Sequence, residues 1–72
     1  MNVDRLLDLM HATPFVPFSI LLPNGERLRV HHPDFIWVHP DRRTILVVAE
    51  SGRTRFLNHQ MVVGLEVESA MP

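Results

Sequence analysis

The sequence predicts one small, mainly β domain of the α+β kind. An N-terminal helix leads into a five-stranded antiparallel open barrel, and together they fill residues 1–72. Three observations predict it. Val3, Leu6, Leu7 and Met10 recur at i, i+3, i+4 and i+7, which is one face of an α-helix. From residue 15 onward, short runs rich in β-branched and aromatic residues are separated by the turn signals PNGE, HPDRRT and AESGRT, the pattern of a β-meander. Within that meander the runs FIWV and ILVV are apolar on both faces, so the central strands are covered on two sides.

The elements follow in chain order. Over residues 3–12, Asn2 caps the helix, Asp4 suits its positive end and His11 its negative end. Thr13 precedes Pro14, which pushes it out of helical geometry and stops the helix. A helix of about ten residues is not stable alone, so its apolar stripe must lie on the strands.

The meander spans residues 15–68, and PFVPFSILL is its first strand. Pro23 cannot donate the bond that closes a type I′ hairpin, so Pro23-Asn24-Gly25 reads as a type I turn with Gly25 in the left-handed region as a bulge. AESGRT permits the same construction around Gly52, and HPDRRT again offers Pro-Asp at the turn centre. ERLRVHH and DFIWVH read as two arms of one long strand bent by a bulge at His32-Pro33. TILVVAE, RTRFL and GLEVE complete the set, with Asn58 capping a short 3₁₀ turn near residues 58–62.

A chain of 72 residues builds a marginal core, and domains of this size commonly add disulfides, a metal or self-association. No cysteine is present, so metal or oligomer remain, and a reducing cytoplasm fits. Asp4 and Asp8 interrupt the apolar pattern of the N-terminus, which excludes the h-region of a signal peptide, and nothing approaches the ~20 apolar residues of a membrane span. The expectation is a soluble, cytoplasmic protein. A net charge of −1 exerts no overall pull toward nucleic acid or anionic membrane. Its distribution is uneven: all seven basic residues are arginine, and six of them lie in residues 27–55 against three acids there.

Four groups are candidates for chemistry. His31, His32 and His39 fall close together, but adjacent strand residues point to opposite faces and the spacing is not that of a zinc site. They read as strand-end residues beside turn prolines, so no metal and no cofactor are expected. No nucleophile elbow, phosphate-cradling glycine loop or zinc-hydrolase helix motif appears, and a barrel this small is filled by side chains; no catalytic residue and no small-molecule substrate are expected. Arg27 and Arg29 share the outward face of one strand, and Arg53 and Arg55 that of another. If those faces lie together they form a phosphate-holding patch, and otherwise a solvated face opposite Glu26, Asp41 and Glu50. Phe15, Phe18, Phe35 and Phe56 read as core, which leaves little for base stacking, although Phe35 takes a second reading with Trp37. If Ile36 and Val38 point inward, Phe35 and Trp37 point outward as an aromatic pair. That pair is either covered by the N-terminal helix or marks an interface with Leu46 and Val48 of the two-sided strand.

The pieces PFVPFSI, VHHPDF, RRTILVV and GLEV resemble a recurring type of small bacterial protein of unknown function. That type carries PFxPFxI, a Gly turn, V-x-HP-(D/E)-F, RT-x-hydrophobic-V and a closing LEV strand. The resemblance spans nearly the whole chain and implies no activity. The order of elements is also similar to SH3-like and Sm-like barrels, though no Asn follows Asp34 where Sm-like RNA binders place one. The sequence therefore predicts a non-catalytic interaction module that self-associates or binds a protein partner through Phe35, Trp37, Leu46 and Val48. The alternative is a nucleic-acid-binding regulator of Sm-like type working through Arg27, Arg29, Arg53 and Arg55.

Overall fold

A computed structural model describes residues 2–68. Helix α1 (Val3–Met10) begins where the Asn2 side chain accepts the Asp4 N–H at 2.8 Å, and it ends two residues short of the expected boundary. There the His11 N–H closes the last turn on the Leu7 carbonyl at 3.0 Å. Six strands follow: β1 (Phe18–Leu21), β2 (Arg27–Val30), β3 (Ile36–Val38), β4 (Thr44–Val48), β5 (Thr54–Asn58) and β6 (Gly64–Val67). They form two three-stranded antiparallel sheets, in the order β2-β1-β6 and β3-β4-β5.

Six strands in two sheets replace the expected single five-stranded set, and residues 31–35 are the reason. The strand expected to bend by a bulge is interrupted by a 3₁₀ turn at Pro33–Phe35. Pro33 stands at its first position, where a missing N–H costs nothing. His32 caps it: its Nδ1 accepts the Asp34 N–H at 3.1 Å and its carbonyl accepts the Phe35 N–H at 3.1 Å. The chain leaves the first sheet as β2 and enters the second as β3.

The three turns take the predicted chemistry. Gly25 and Gly52 sit at φ +85° and +88°, each donating its N–H to the carbonyl three residues back, Leu22 and Ala49. The third turn is one residue longer, closing between His39 and Thr44, and it puts Arg42 rather than a glycine at φ +61°. Asp41 holds that loop by accepting the Arg43 and Thr44 N–H groups at 2.7 and 3.0 Å. Those two bonds hold its carboxyl below the usual aspartate range. The expected 3₁₀ turn is present at His59–Met61, with the Asn58 side chain accepting the Gln60 N–H at 2.9 Å.

One apolar cluster joins both sheets and the helix. Phe18 and Ile20 of β1, Leu28 and Val30 of β2, Ile36 of β3, Ile45 and Val47 of β4 and Leu57 of β5 all turn inward, and Leu6 and Leu9 close over them. Alternation along each strand thus sends one set of side chains to this core and leaves two outer sheet faces. What those faces carry decides the functional reading.

Candidate functional site

The two outer faces differ in kind. On the first sheet, Arg27 and Arg29 of β2 lie across β1 from Glu66 of β6, with only Ser19 and Leu21 between them. The span is bridged by charge. Arg27 pairs with Glu66, and Arg29 grips both oxygens of Glu68 at 3.1 Å while its Nη1 reaches Glu50 at 2.8 Å. These carboxylates hold the Arg29 pKa above its ordinary value. This face is a solvated ion-pair lattice.

The second sheet turns a different surface outward. Register places Trp37 of β3 opposite Leu46 of β4, and Leu46 opposite Phe56 of β5, so three apolar side chains form one row across all three strands. Trp37 is 51% exposed and Phe56 is 72% exposed. Thr44, Val48, Thr54 and Asn58 complete the strand positions of this face, and none of the seven carries a charge. Large exposed aromatics aligned on one sheet face, with no ionic competitor among them, suit contact with another protein surface.

Of the four residues expected at an interface, Trp37, Leu46 and Val48 share this face and Phe35 does not. The 3₁₀ turn breaks the alternation between positions 35 and 37. It places the half-buried Phe35 ring flat against His31, with centroids 4.5 Å apart, and edge-on to His32 at 6.1 Å. Trp37 is left half exposed, and its ring stands T-shaped to that of His39 with centroids 5.4 Å apart. Phe56, expected in the core, is instead the most exposed large apolar side chain among the described residues. The signal for it is the adjacent pair Phe56-Leu57: on a strand, two neighbouring apolar residues cannot both face one core.

The four arginines do converge. Arg27, Arg29, Arg53 and Arg55 line one open groove of about 920 Å³ between β2 and the β4–β5 turn, together with Glu26, Glu50, Ser51 and Gly52. Its size is ample for a nucleotide. Its charge is not, because three of the four guanidiniums are already engaged. Arg55 donates to both Glu26 oxygens at 2.5 and 3.1 Å, which lowers the Glu26 pKa, and Arg27 and Arg29 hold the glutamates described above. Among the described residues no carboxylate pairs with Arg53.

His32 and His39 serve local structure. The tripeptide His-Pro-Asp occurs at residues 32–34 and 39–41, and both copies fold alike. Each imidazole Nδ1 accepts the N–H of the Asp two residues on, at 3.1 and 2.9 Å, as a capping Asn or Asp would. Among the described residues no group of three or more His, Cys, Asp or Glu side chains is placed to hold a metal. His39→Ala should cost about 1 kcal/mol by losing this cap, while His39→Asn should retain most of it. Urea denaturation followed by far-ultraviolet circular dichroism measures both.

No family model, curated protein or solved structure matches the chain. Among the described residues no helix is long and apolar enough to cross a membrane.

Proposed function

We propose that this protein is a non-catalytic interaction module of the cytoplasm that docks a protein surface, a second copy or a different partner, on the outer face of β3-β4-β5. The observation that carries this reading is the contrast between the two outer sheet faces. One is a lattice of arginine-glutamate pairs, and the other presents the uncharged row Trp37, Leu46 and Phe56. A small domain gains only about 0.2–1 kcal/mol from each such half-exposed cross-strand aromatic, whereas a buried aromatic anchor is the commonest source of interface energy.

The same reading takes the two sheets as one small open barrel of SH3-like or Sm-like type. β2 and β3 would be the halves of its long bent strand, and β6 returns to pair with β1. It also keeps the proposed kinship with small bacterial proteins of the PFxPFxI and HP(D/E)F pattern. The nucleic-acid alternative has one observation in its favour, the meeting of four arginines in one groove. The paired glutamates weigh against it, since each must be displaced before a phosphate can replace it.

The test is site-specific photocrosslinking in living cells. A benzophenone side chain in place of Trp37 or Phe56 is expected to give covalent protein adducts, and one in place of Arg27 on the opposite face is not. Adducts from position 27 with none from 37 or 56 would overturn the reading.

A further inference from the structure

We propose that the chain forms a two-fold symmetric dimer by antiparallel pairing of β5 with β5 of a second copy, centred on Phe56, which joins the two β3-β4-β5 sheets into one of six strands. The inference rests on reading the outer face of this sheet as the contact surface, and it names the occupant and the geometry.

The backbone supplies the first argument. The bonds from the Ala49 N–H to the Arg53 carbonyl (2.9 Å) and from the His59 N–H to the Arg43 carbonyl (2.8 Å) fix the phase of the β4–β5 ladder. Arg55 and Leu57 therefore direct their N–H and C=O groups to β4. Thr54, Phe56 and Asn58 direct theirs to the open side, where no strand among the described residues meets them. Open strand edges pair with other chains unless something prevents it.

The second argument is what the other three edges carry. β2 exposes the backbone of Arg27 and Arg29 with their charged side chains beside it, β3 is three residues long between Pro33 and Pro40, and β6 bears Glu66 with Glu68 just beyond. Charge, shortness and flanking proline are the usual protections of an edge. β5 is neither short nor flanked by proline, and it keeps charge off its open edge. It is five residues long, and its outward side chains Thr54, Phe56 and Asn58 are uncharged and exposed. Its one charge, Arg55, is turned toward the groove and held by Glu26.

The third argument is self-complementarity. In a two-fold antiparallel contact the residue on the axis meets its own copy and the residues on either side meet one another, so β2 paired about Leu28 would set Arg27 against Arg29. β5 is the edge that escapes this. Phe56 on the axis would pair with Phe56 of the second copy, both rings leaving water.

The interface is small. Phe56, 72% exposed, offers about 140 Å² of aromatic surface, taking roughly 200 Å² for a whole ring side chain, against the ~800 Å² per partner of a standard complex. The dimer should therefore be concentration-dependent, with Kd on the order of 10 µM or weaker. Strand spacing puts Trp37 about 12 Å from the axis, at the outer ends of a doubled apolar stripe, so it stays outside the contact.

Size-exclusion chromatography with light scattering, run over a range of concentrations, tests this on the full chain. The wild type is expected at twice 8.3 kDa when concentrated and at 8.3 kDa when dilute. Phe56→Lys and Phe56→Glu should each run as monomers, and an equimolar mixture of the two should recover the dimer, because position 56 then meets the opposite charge across the axis. Thr54→Pro removes an N–H that faces the open edge and should weaken the dimer at least tenfold with the circular dichroism spectrum unchanged. Trp37→Ala should leave the dimer intact. A wild type of 8.3 kDa at every concentration overturns the proposal and leaves the contact-face reading to the crosslinking at position 37. A dimer lost in Trp37→Ala but kept in Thr54→Pro overturns the edge pairing in favour of face-to-face packing of the same surface. Higher multiples with no rescue on mixing overturn it in favour of head-to-tail assembly.

Discussion

Phe18→Ala is expected to cost about 3–5 kcal/mol, the range for emptying a fully buried phenylalanine site. Phe18 has no exposed surface, stands opposite both Val30 and Val67 on the middle strand of its sheet, and touches the ring of Phe15 at 6.0 Å between centroids. A domain of 72 residues holds only about 4–11 kcal/mol in total, so this one change removes about a quarter or more of it. Phe56→Ser is expected to cost under about 1 kcal/mol, since it removes one exposed cross-strand contact with Leu46 and no core. Urea melts with a slope near 1 kcal/mol per molar separate the two: the first midpoint falls by several molar or the transition vanishes, and the second hardly moves. Equal losses in the two variants would show that the row on the second sheet is structural rather than a surface held ready for contact.

The same pair of phenylalanines shows what the sequence displays and what it hides. Composition alone reads both as core. Only the neighbour Leu57, and the pairing that sets Phe56 beside Leu46, sends one of them outward. Features fixed by chemistry within a few residues were legible: the Asn2 and Asn58 caps, the glycine bulges at Gly25 and Gly52, and the Pro-Asp turn at residues 40 and 41. The break after β2 was not, because it depends on an imidazole serving as a cap, a role that composition assigns to Asn, Asp, Ser or Thr. Once it is seen at His32, its repetition at His39 accounts for two of the three clustered histidines.

The arginines illustrate a longer-range limit. Along the chain they appear segregated, basic in the middle and acidic toward the ends. In the fold that segregation is the ion pairing itself, because β6 returns to the far side of β1 and carries Glu66 and Glu68 to within reach of Arg27 and Arg29, 39 residues away in each case. A net positive segment is therefore no evidence of a phosphate site until the partners of its charges are known. The uncharged face is the complement of this arrangement. Four of the eight acids and four of the seven arginines meet around the groove and across the first sheet, and none of either kind stands on the outer strand positions of the second.

Replacing the glutamates tests whether they are what keeps this groove from phosphate. The triple variant Glu26→Gln, Glu50→Gln, Glu68→Gln frees Arg29 and Arg55 from their carboxylates while preserving side-chain length and most hydrogen-bonding capacity. With Arg53 already without a carboxylate partner among the described residues, three guanidiniums then face one open cleft. Each new phosphate contact adds about 0.7–0.9 to the slope of log K against log salt, and two arginines are newly freed, so the variant's affinity for single-stranded or duplex nucleic acid should fall with a slope about 1.4–1.8 steeper than the wild type's. Fluorescence anisotropy of a labelled oligonucleotide between 50 and 200 mM salt, a span over which such slopes are readily resolved, measures it. Weak binding by the wild type with steep binding by the variant places the difference in the glutamates, and the arginines then serve to hold the sheets together. Tight, salt-sensitive binding by the wild type would mean that phosphate displaces the glutamates unaided, and the groove rather than the Trp37 face would become the site.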